Sequence, residues 1–211
     1  KKYRDKVCLL RVDLNIETLA AAQHNLRINA IVPTVALLRK RGVTVVILSH
    51  RGRPKGADPA LSLKKDARNL QAMLGKKVVF IPHHRFREVE KILREAEPGS
   101  LFLLENLRFL RGEEKNDRGL ARKLAKLGDF YINDAFAVSH RANASVVAIT
   151  RYIRSYAGLE LEREVKTLAG VLKRPRKPLV IVLGGGKAHD KLAVMKYFRR
   201  KAAYFLVGRA A

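Results

Sequence analysis

The sequence predicts an α/β fold: a parallel sheet with helices on both faces, followed by the start of a second α/β domain. Two observations predict it. Short continuous runs rich in Val, Ile and Phe recur at 7–12, 43–48, 77–81, 101–104, 129–132, 179–183 and 203–207. Such runs suit strands buried on both faces. Longer amphipathic stretches lie between them, the alternation expected of parallel strands joined by helical crossovers.

The elements follow in order. After the first strand, residues 28–41 place Ile28, Ile31, Val32, Val35 and Leu38 on one helical face, and Gly42 supplies a stop. A second helix is expected over 62–74, with Ser62 as its N-cap and Gly75 after its end. Residues 86–96, 117–127, 159–172 and 188–201 read as further helices. Residues 51–60, RGRPKGADPA, form a Gly/Pro-rich loop long enough to be functional. The segment Lys173-Arg174-Pro175-Arg176-Lys177-Pro178 suits neither helix nor strand and reads as a linker. The expected organisation is therefore an N-terminal domain at 1–158, a connecting helix and linker at 159–178, and the beginning of a second domain at 179–211. The chain does not start with Met and only two strands and one helix follow the linker, so it is expected to be a fragment.

Composition narrows the function. With 47% hydrophobic and 30% charged residues the chain is a globular protein, not a disordered one. No apolar stretch approaches the ~18–20 residues that span a membrane. Cys8 is the sole cysteine and sits in an apolar run, which excludes an internal disulfide and suggests a reducing compartment, the cytoplasm. The net charge of +25 favours anionic partners, but it is spread along the whole chain, and no nucleic-acid-binding motif accompanies it.

Ligands of open parallel sheets bind beyond the carboxyl ends of the strands, as in Rossmann-like three-layer domains. Asp13, Leu14 and Asn15 follow the first strand, and Ser49, His50, Arg51, Gly52 and Arg53 the second. Glu105, Asn106 and Arg108 follow the fourth, and Asn133, Asp134, His140 and Arg141 the fifth. Arg27 stands just ahead of the first helix. Arginine forks match phosphate and carboxylate, so the set suits a small, multiply charged phosphate ester, with Asp13 and Asn15 placed to hold a hydroxyl group. Any one arginine among 44 Lys and Arg is as easily a solvated surface charge, and that reading fits Arg51, Arg111 and Arg118 most comfortably. A second site is suggested by Gly184, Gly185, Gly186 and Lys187, glycines between a strand and a helix that aim N–H groups at phosphate. Lys191, four residues on from Lys187, shares its helical face. It is not a Walker A loop, because Ile181 and Ala188 stand where that motif needs Gly and Ser or Thr.

The motifs LLRVDLN, LRINAIVPTV, SHRGRPKG, LLENLRFLRGEEKND, INDAF with SHRANAS, and GGGKAHDK follow one another as they do in phosphoglycerate kinases, and the chain resembles that family from about residue 6 to its end. The resemblance implies reversible phosphoryl transfer between 1,3-bisphosphoglycerate and ADP, giving 3-phosphoglycerate and ATP, in a two-domain monomer. It implies that Asp13, Asn15, Arg27, His50, Arg53, Arg108 and Arg141 contact phosphoglycerate, with Leu14, Arg51 and Gly52 in the same substrate-binding loops. It makes Arg27 and Lys187 the catalytic cations that act on the phosphoryl group in flight. Gly184, Gly185, Lys187 and Lys191 would bind the nucleotide, ATP or ADP. Magnesium (Mg2+) would come with the nucleotide, with no ligands in this chain, and the chain alone is expected to be inactive. Two other readings stand beside it: a non-catalytic module for small phosphorylated acids, and a basic nucleic-acid-binding α/β domain.

Overall fold

A computed structural model describes residues 3–15, 26–185 and 188–208. The elements run β1 (Val7–Arg11), α1 (Leu26–Lys40), β2 (Thr44–Leu48), α2 (Lys64–Leu74), β3 (Val78–Ile81), α3 (Phe86–Arg94), β4 (Leu101–Leu104), α4 (Arg118–Ala125) and β5 (Phe130–Asn133). Then come β6 (Ser155–Ala157), α5 (Leu159–Lys173), β7 (Val180–Leu183), α6 (Ala188–Phe198) and β8 (Tyr204–Val207). The first six strands form one sheet in the order β3-β4-β2-β1-β5-β6, every neighbouring pair parallel. The central strand β1 pairs with β2 on one side and β5 on the other.

Side chains alternate across a strand, and the two faces of β1 therefore serve two cores. Cys8 and Leu10 join Ile28, Val35, Leu63 and Leu70 on one face. Leu9 joins Leu120, Leu124, Tyr131 and Ile149 on the other. Burying one such aliphatic side chain stabilises the fold by roughly 1.5–3 kcal/mol. Burial on both sides explains why these strands read as unbroken apolar runs.

Two expectations need correction. Strand β6 was not foreseen, because Ser155-Tyr156-Ala157 is a short, largely exposed edge strand with no apolar run. Helix α2 begins at Lys64, after the expected cap. Ser62 Oγ still accepts from the Lys64 N–H, but it also donates to Glu105 Oε2, and Glu105 Oε1 accepts from the Leu63 N–H. The carboxylate at the end of β4 thus ties down the entry to α2. Its exit is a left-handed Gly75 with φ of 58°, a conformation glycine adopts without penalty.

The chain divides into two compact units, Lys1–Arg163 and Glu164–Ala211, with the division falling inside α5. The first turn of α5 stays with the first unit because of its caps. The Leu159 N–H donates to Thr34 Oγ1 at 3.1 Å, and the Glu160 and Leu161 N–H groups donate to Asp134 Oδ1. In the second unit β7 and β8 pair in parallel, and Tyr197 Oη and Lys201 Nζ donate to the Leu172 carbonyl. Among the described residues no helix is long and apolar enough to cross a membrane.

A buried ion pair links the loop after β2 to α2. Arg51 NH2 lies 2.7 Å from Asp66 Oδ1, with both side chains shielded from solvent. The pair is incompletely satisfied, since Arg51 Nε and Asp66 Oδ2 have no hydrogen-bond partner. Burial outweighs the pull of Arg51 and pushes the Asp66 carboxyl up to about 6. Removing one partner leaves the other charge buried alone, whereas an apolar pair of similar volume is often neutral or better. Asp66→Val is therefore expected to destabilise the first unit by about 3–5 kcal/mol at pH 7. Adding Arg51→Leu should recover most of that loss, and urea unfolding of the single and double variants is the measurement.

Candidate functional site

Strand β1 ends at a point where the chain turns in opposite directions. The connection from β1 leads to β2 on one side, and that from β5 leads to β6 on the other. This is the switch point at which open sheets bind ligands. Arg11, the last residue of β1, is in register with Leu48 of β2 and Asn133 of β5. The loops leaving β1, β2, β4 and β5 all start from this edge.

Backbone hydrogen bonds fix these loops to one another. The Leu14 N–H donates to Ser49 Oγ, which itself donates to the Val12 carbonyl. Asp13 Oδ1 accepts from the Asn15 N–H in a local turn, and Asn15 Oδ1 accepts from the Gly52 N–H at 2.8 Å. Asn106 uses its whole amide: Oδ1 accepts from the Arg51 and Arg108 N–H groups, and Nδ2 donates to the carbonyls of Arg51 and Leu61. Gly52 has φ of 59°, and a Cβ there would stand 2.8 Å from Leu61 Cδ2. Both the conformation and the lack of room favour glycine.

Cations gather on this frame. Arg27 NH1 pairs with Asp13 Oδ2 at 2.5 Å. Arg108 is buried, donates through NH1 to the Gly52 carbonyl, and lies 3.3 Å from Glu114 Oε1 through Nε. Its Nε and NH2 groups make no hydrogen bond, and neither does the buried Nε of Arg141. Buried donors are normally satisfied, so partly unsatisfied guanidinium groups at a strand edge mark a place built for acceptors. Burial lowers the Arg108 pKa; Glu114 opposes this, while Arg141, Arg11 and Arg53 reinforce it. His50 is buried among these groups, and its pKa falls to about 2. Desolvation is the main cause, followed by repulsion from Arg11, Arg108, Arg141 and Arg27.

The structure thus brings together Asp13, Asn15, Arg27, His50, Gly52, Arg108 and Arg141. Arg53 is exposed, although it faces Arg108 closely enough to act on it electrostatically. Leu14 is buried and offers only its backbone. Arg51 turns away from the cluster, toward Asp66 and the Leu14 carbonyl. Gly184, Gly185 and Lys191 lie in the second unit, where Gly185 takes φ of 94° just ahead of α6. Lys187 and Gly186 lie outside the described residues. Among the described residues no three His, Cys, Asp or Glu side chains come together as metal ligands.

Sequence reasoning missed Arg11, Glu113 and Ser145. Arg11 is fully buried and donates to Ser145 Oγ, which donates to Glu113 Oε1. The available signal was an arginine inside an apolar strand, a residue that must find partners if buried.

The chain is similar to known proteins along its length. The phosphoglycerate kinase family profile matches residues 1–210. The chain is 42% identical over 209 residues to a phosphoglycerate kinase from Fervidobacterium nodosum, covering 98% of this chain and 52% of that one. It is 40% identical over 205 residues to one from Bartonella bacilliformis, covering 96% and 51%. A solved phosphoglycerate kinase from Pyrococcus horikoshii superposes with a TM-score of 0.84 at 32% identity, covering 98% of this chain and 53% of that one. One from Coxiella burnetii gives 0.81 at 34% identity, covering 98% and 52%. The chain spans about half the length of the relatives it matches.

The depressed His50 pKa has a consequence for stability. An unfolded chain protonates this ring as pH falls through 6.5, while the folded chain keeps it neutral down to about 2. Its contribution is fully present above pH 6.5 and shrinks as pH falls below it. Between pH 7 and pH 5 this one group should cost the native state about 2 kcal/mol. Urea unfolding at the two pH values should show that much less acid sensitivity in His50→Gln than in the parent chain.

Proposed function

The chain belongs to the phosphoglycerate kinase family, and we propose that its first unit binds 3-phosphoglycerate for reversible phosphoryl transfer between 1,3-bisphosphoglycerate and ADP. The observation that carries this reading is the buried Arg108 and the half-buried Arg141, each with a buried guanidinium nitrogen left without a hydrogen bond at the switch point of the sheet. A phosphate ester supplies the acceptors they lack.

The roles follow from chemistry. Arg108 and Arg141, with the exposed Arg53, take the phosphate of 3-phosphoglycerate. Asp13 and Asn15 hold its hydroxyl group, and neutral His50 donates a hydrogen bond without adding charge. Phosphoryl transfer needs alignment and charge neutralisation more than covalent help. Arg27 answers that need, and its bond to Asp13 restrains it near the strand-end loops. On the nucleotide side Lys187 would neutralise the moving phosphoryl group, and Gly184, Gly185 and Lys191 would meet the phosphates of ATP or ADP. Magnesium would arrive with the nucleotide. A monomer acting in glycolysis and gluconeogenesis in the cytoplasm completes the reading.

Calorimetric titration tests the site. Arg108→Ala and Arg141→Ala should each weaken 3-phosphoglycerate binding by roughly tenfold to a hundredfold, the worth of a charge-assisted contact. Arg118→Ala, at the exposed start of α4, should leave it unchanged. Equal losses at all three would mean that diffuse charge does the binding. In a protein carrying the complete nucleotide site, Arg27→Ala should lower kcat more than substrate affinity. A raised KM with unchanged kcat would refute its role in the transition state.

A further inference from the structure

The proposed reaction gives no part to one fully buried arginine of the first unit. Arg11 is fully buried at the end of the central strand. It shares the Leu9 face of the sheet, since residues two apart on a strand point the same way. Its Nε donates to Ser145 Oγ at 3.0 Å, its NH1 to the Val12 carbonyl, and its NH2 lies 3.1 Å from His50 Nδ1.

A guanidinium group donates and never accepts. That rule fixes the direction of every bond in the chain of contacts. Ser145 Oγ must accept from Arg11, so its own proton goes to Glu113 Oε1 at 2.6 Å. Glu113 is also fully buried and accepts from the Ser145 N–H and Asn143 Nδ2. The Tyr131 hydroxyl donates to the Ser145 carbonyl at 2.7 Å and holds the segment in place. At the other end, His50 Nδ1 must be the acceptor. A ring whose Nδ1 accepts cannot carry a proton there and cannot be an imidazolium, so its single proton is on Nε2.

We infer that Arg11 is a positioning residue that holds His50 as the neutral Nε2–H tautomer, with Glu113 acting through Ser145 to fix the guanidinium. The ring then presents a donor to an oxyanion. The opposite tautomer would present a lone pair, which repels one. This rests on the phosphoglycerate reading for the identity of the anion, but the tautomer itself does not. The charged groups acting on His50 come from every side: Arg11 from β1, Arg27 from α1, Arg108 from the loop after β4 and Arg141 from the loop after β5. All four are cations, which disfavours protonation of the ring from each direction.

Two-bond proton–nitrogen NMR of the imidazole rings in the 211-residue chain tests this directly, with the His50 signal assigned by its loss in His50→Gln. The expected pattern is a protonated Nε2 and an unprotonated Nδ1, unchanged from pH 8 to pH 5. Arg11→Met should give a mixture of tautomers and bind 3-phosphoglycerate roughly twofold to tenfold more weakly, the worth of one hydrogen bond. Arg11→Lys, which keeps a donor-only cation, should restore the single tautomer. A parent-chain His50 protonated at Nδ1, or titrating between pH 8 and pH 5, overturns the proposal even if neither Arg11 variant folds. The expected ring signature without any 3-phosphoglycerate binding would support the Arg11–His50 assignment and overturn the phosphoglycerate reading.

Discussion

Arginine can only give hydrogen bonds, and that constraint shapes the whole upper edge of the sheet. Arg11, Arg51 and Arg108 reach inward there and the exposed Arg27 reaches Asp13, so the loops around them are built from acceptors. The carbonyls of Val12, Leu14 and Gly52, the hydroxyl of Ser145, and the carboxylates of Asp13, Asp66 and Glu114 are each turned toward a guanidinium. Where the acceptors suffice, as at Arg11, the arginine is held as part of the scaffold. Where they run short, at Arg51, Arg108 and Arg141, a buried guanidinium nitrogen is left without a hydrogen bond. Of these, Arg51 turns to Asp66, whereas Arg108 and Arg141 stand in the loops at the switch point of the sheet.

The sheet makes that concentration of charge tolerable. Because β1 is hydrogen-bonded on both sides and covered on both faces, its end is a rigid floor for the loops. Like charges repel most where water is excluded, and holding several cations together requires a frame that does not yield. Asn106 and Ser49 show how the frame is made. Ser49 both accepts from and donates to the segment after β1, and Asn106 both accepts from and donates to the loop after β2, so the loops after β1, β2 and β4 form a single hydrogen-bonded body.

Most of this architecture was legible in the sequence, for a physical reason. Strands buried on both faces must be apolar without interruption, and amphipathic crossovers must separate them, so β1 to β5 announce themselves. Edge strand β6 escaped because Ser155-Tyr156-Ala157 has no burial to advertise. Site residues were legible only as positions after strands. Periodicity does not say that Arg53 stays in solvent while Arg51, two residues earlier, dives to Asp66. Nor does it say where a buried arginine finds its partners. Glu113 and Ser145 lie more than a hundred residues from Arg11, and only the fold brings them to it.

The pairing of Arg51 with Asp66 also bears on how this chain can change over generations. An apolar residue at either position alone strands a charge in the interior. A route from the ion pair to a greasy pair, or back, therefore crosses a poorly folding intermediate unless both codons change together or another substitution first adds spare stability. Positions 51 and 66 are expected to drift as a unit. Relatives should carry either both charges or neither, and the loop that bears Gly52 and Arg53 inherits its geometry from whichever solution a lineage holds.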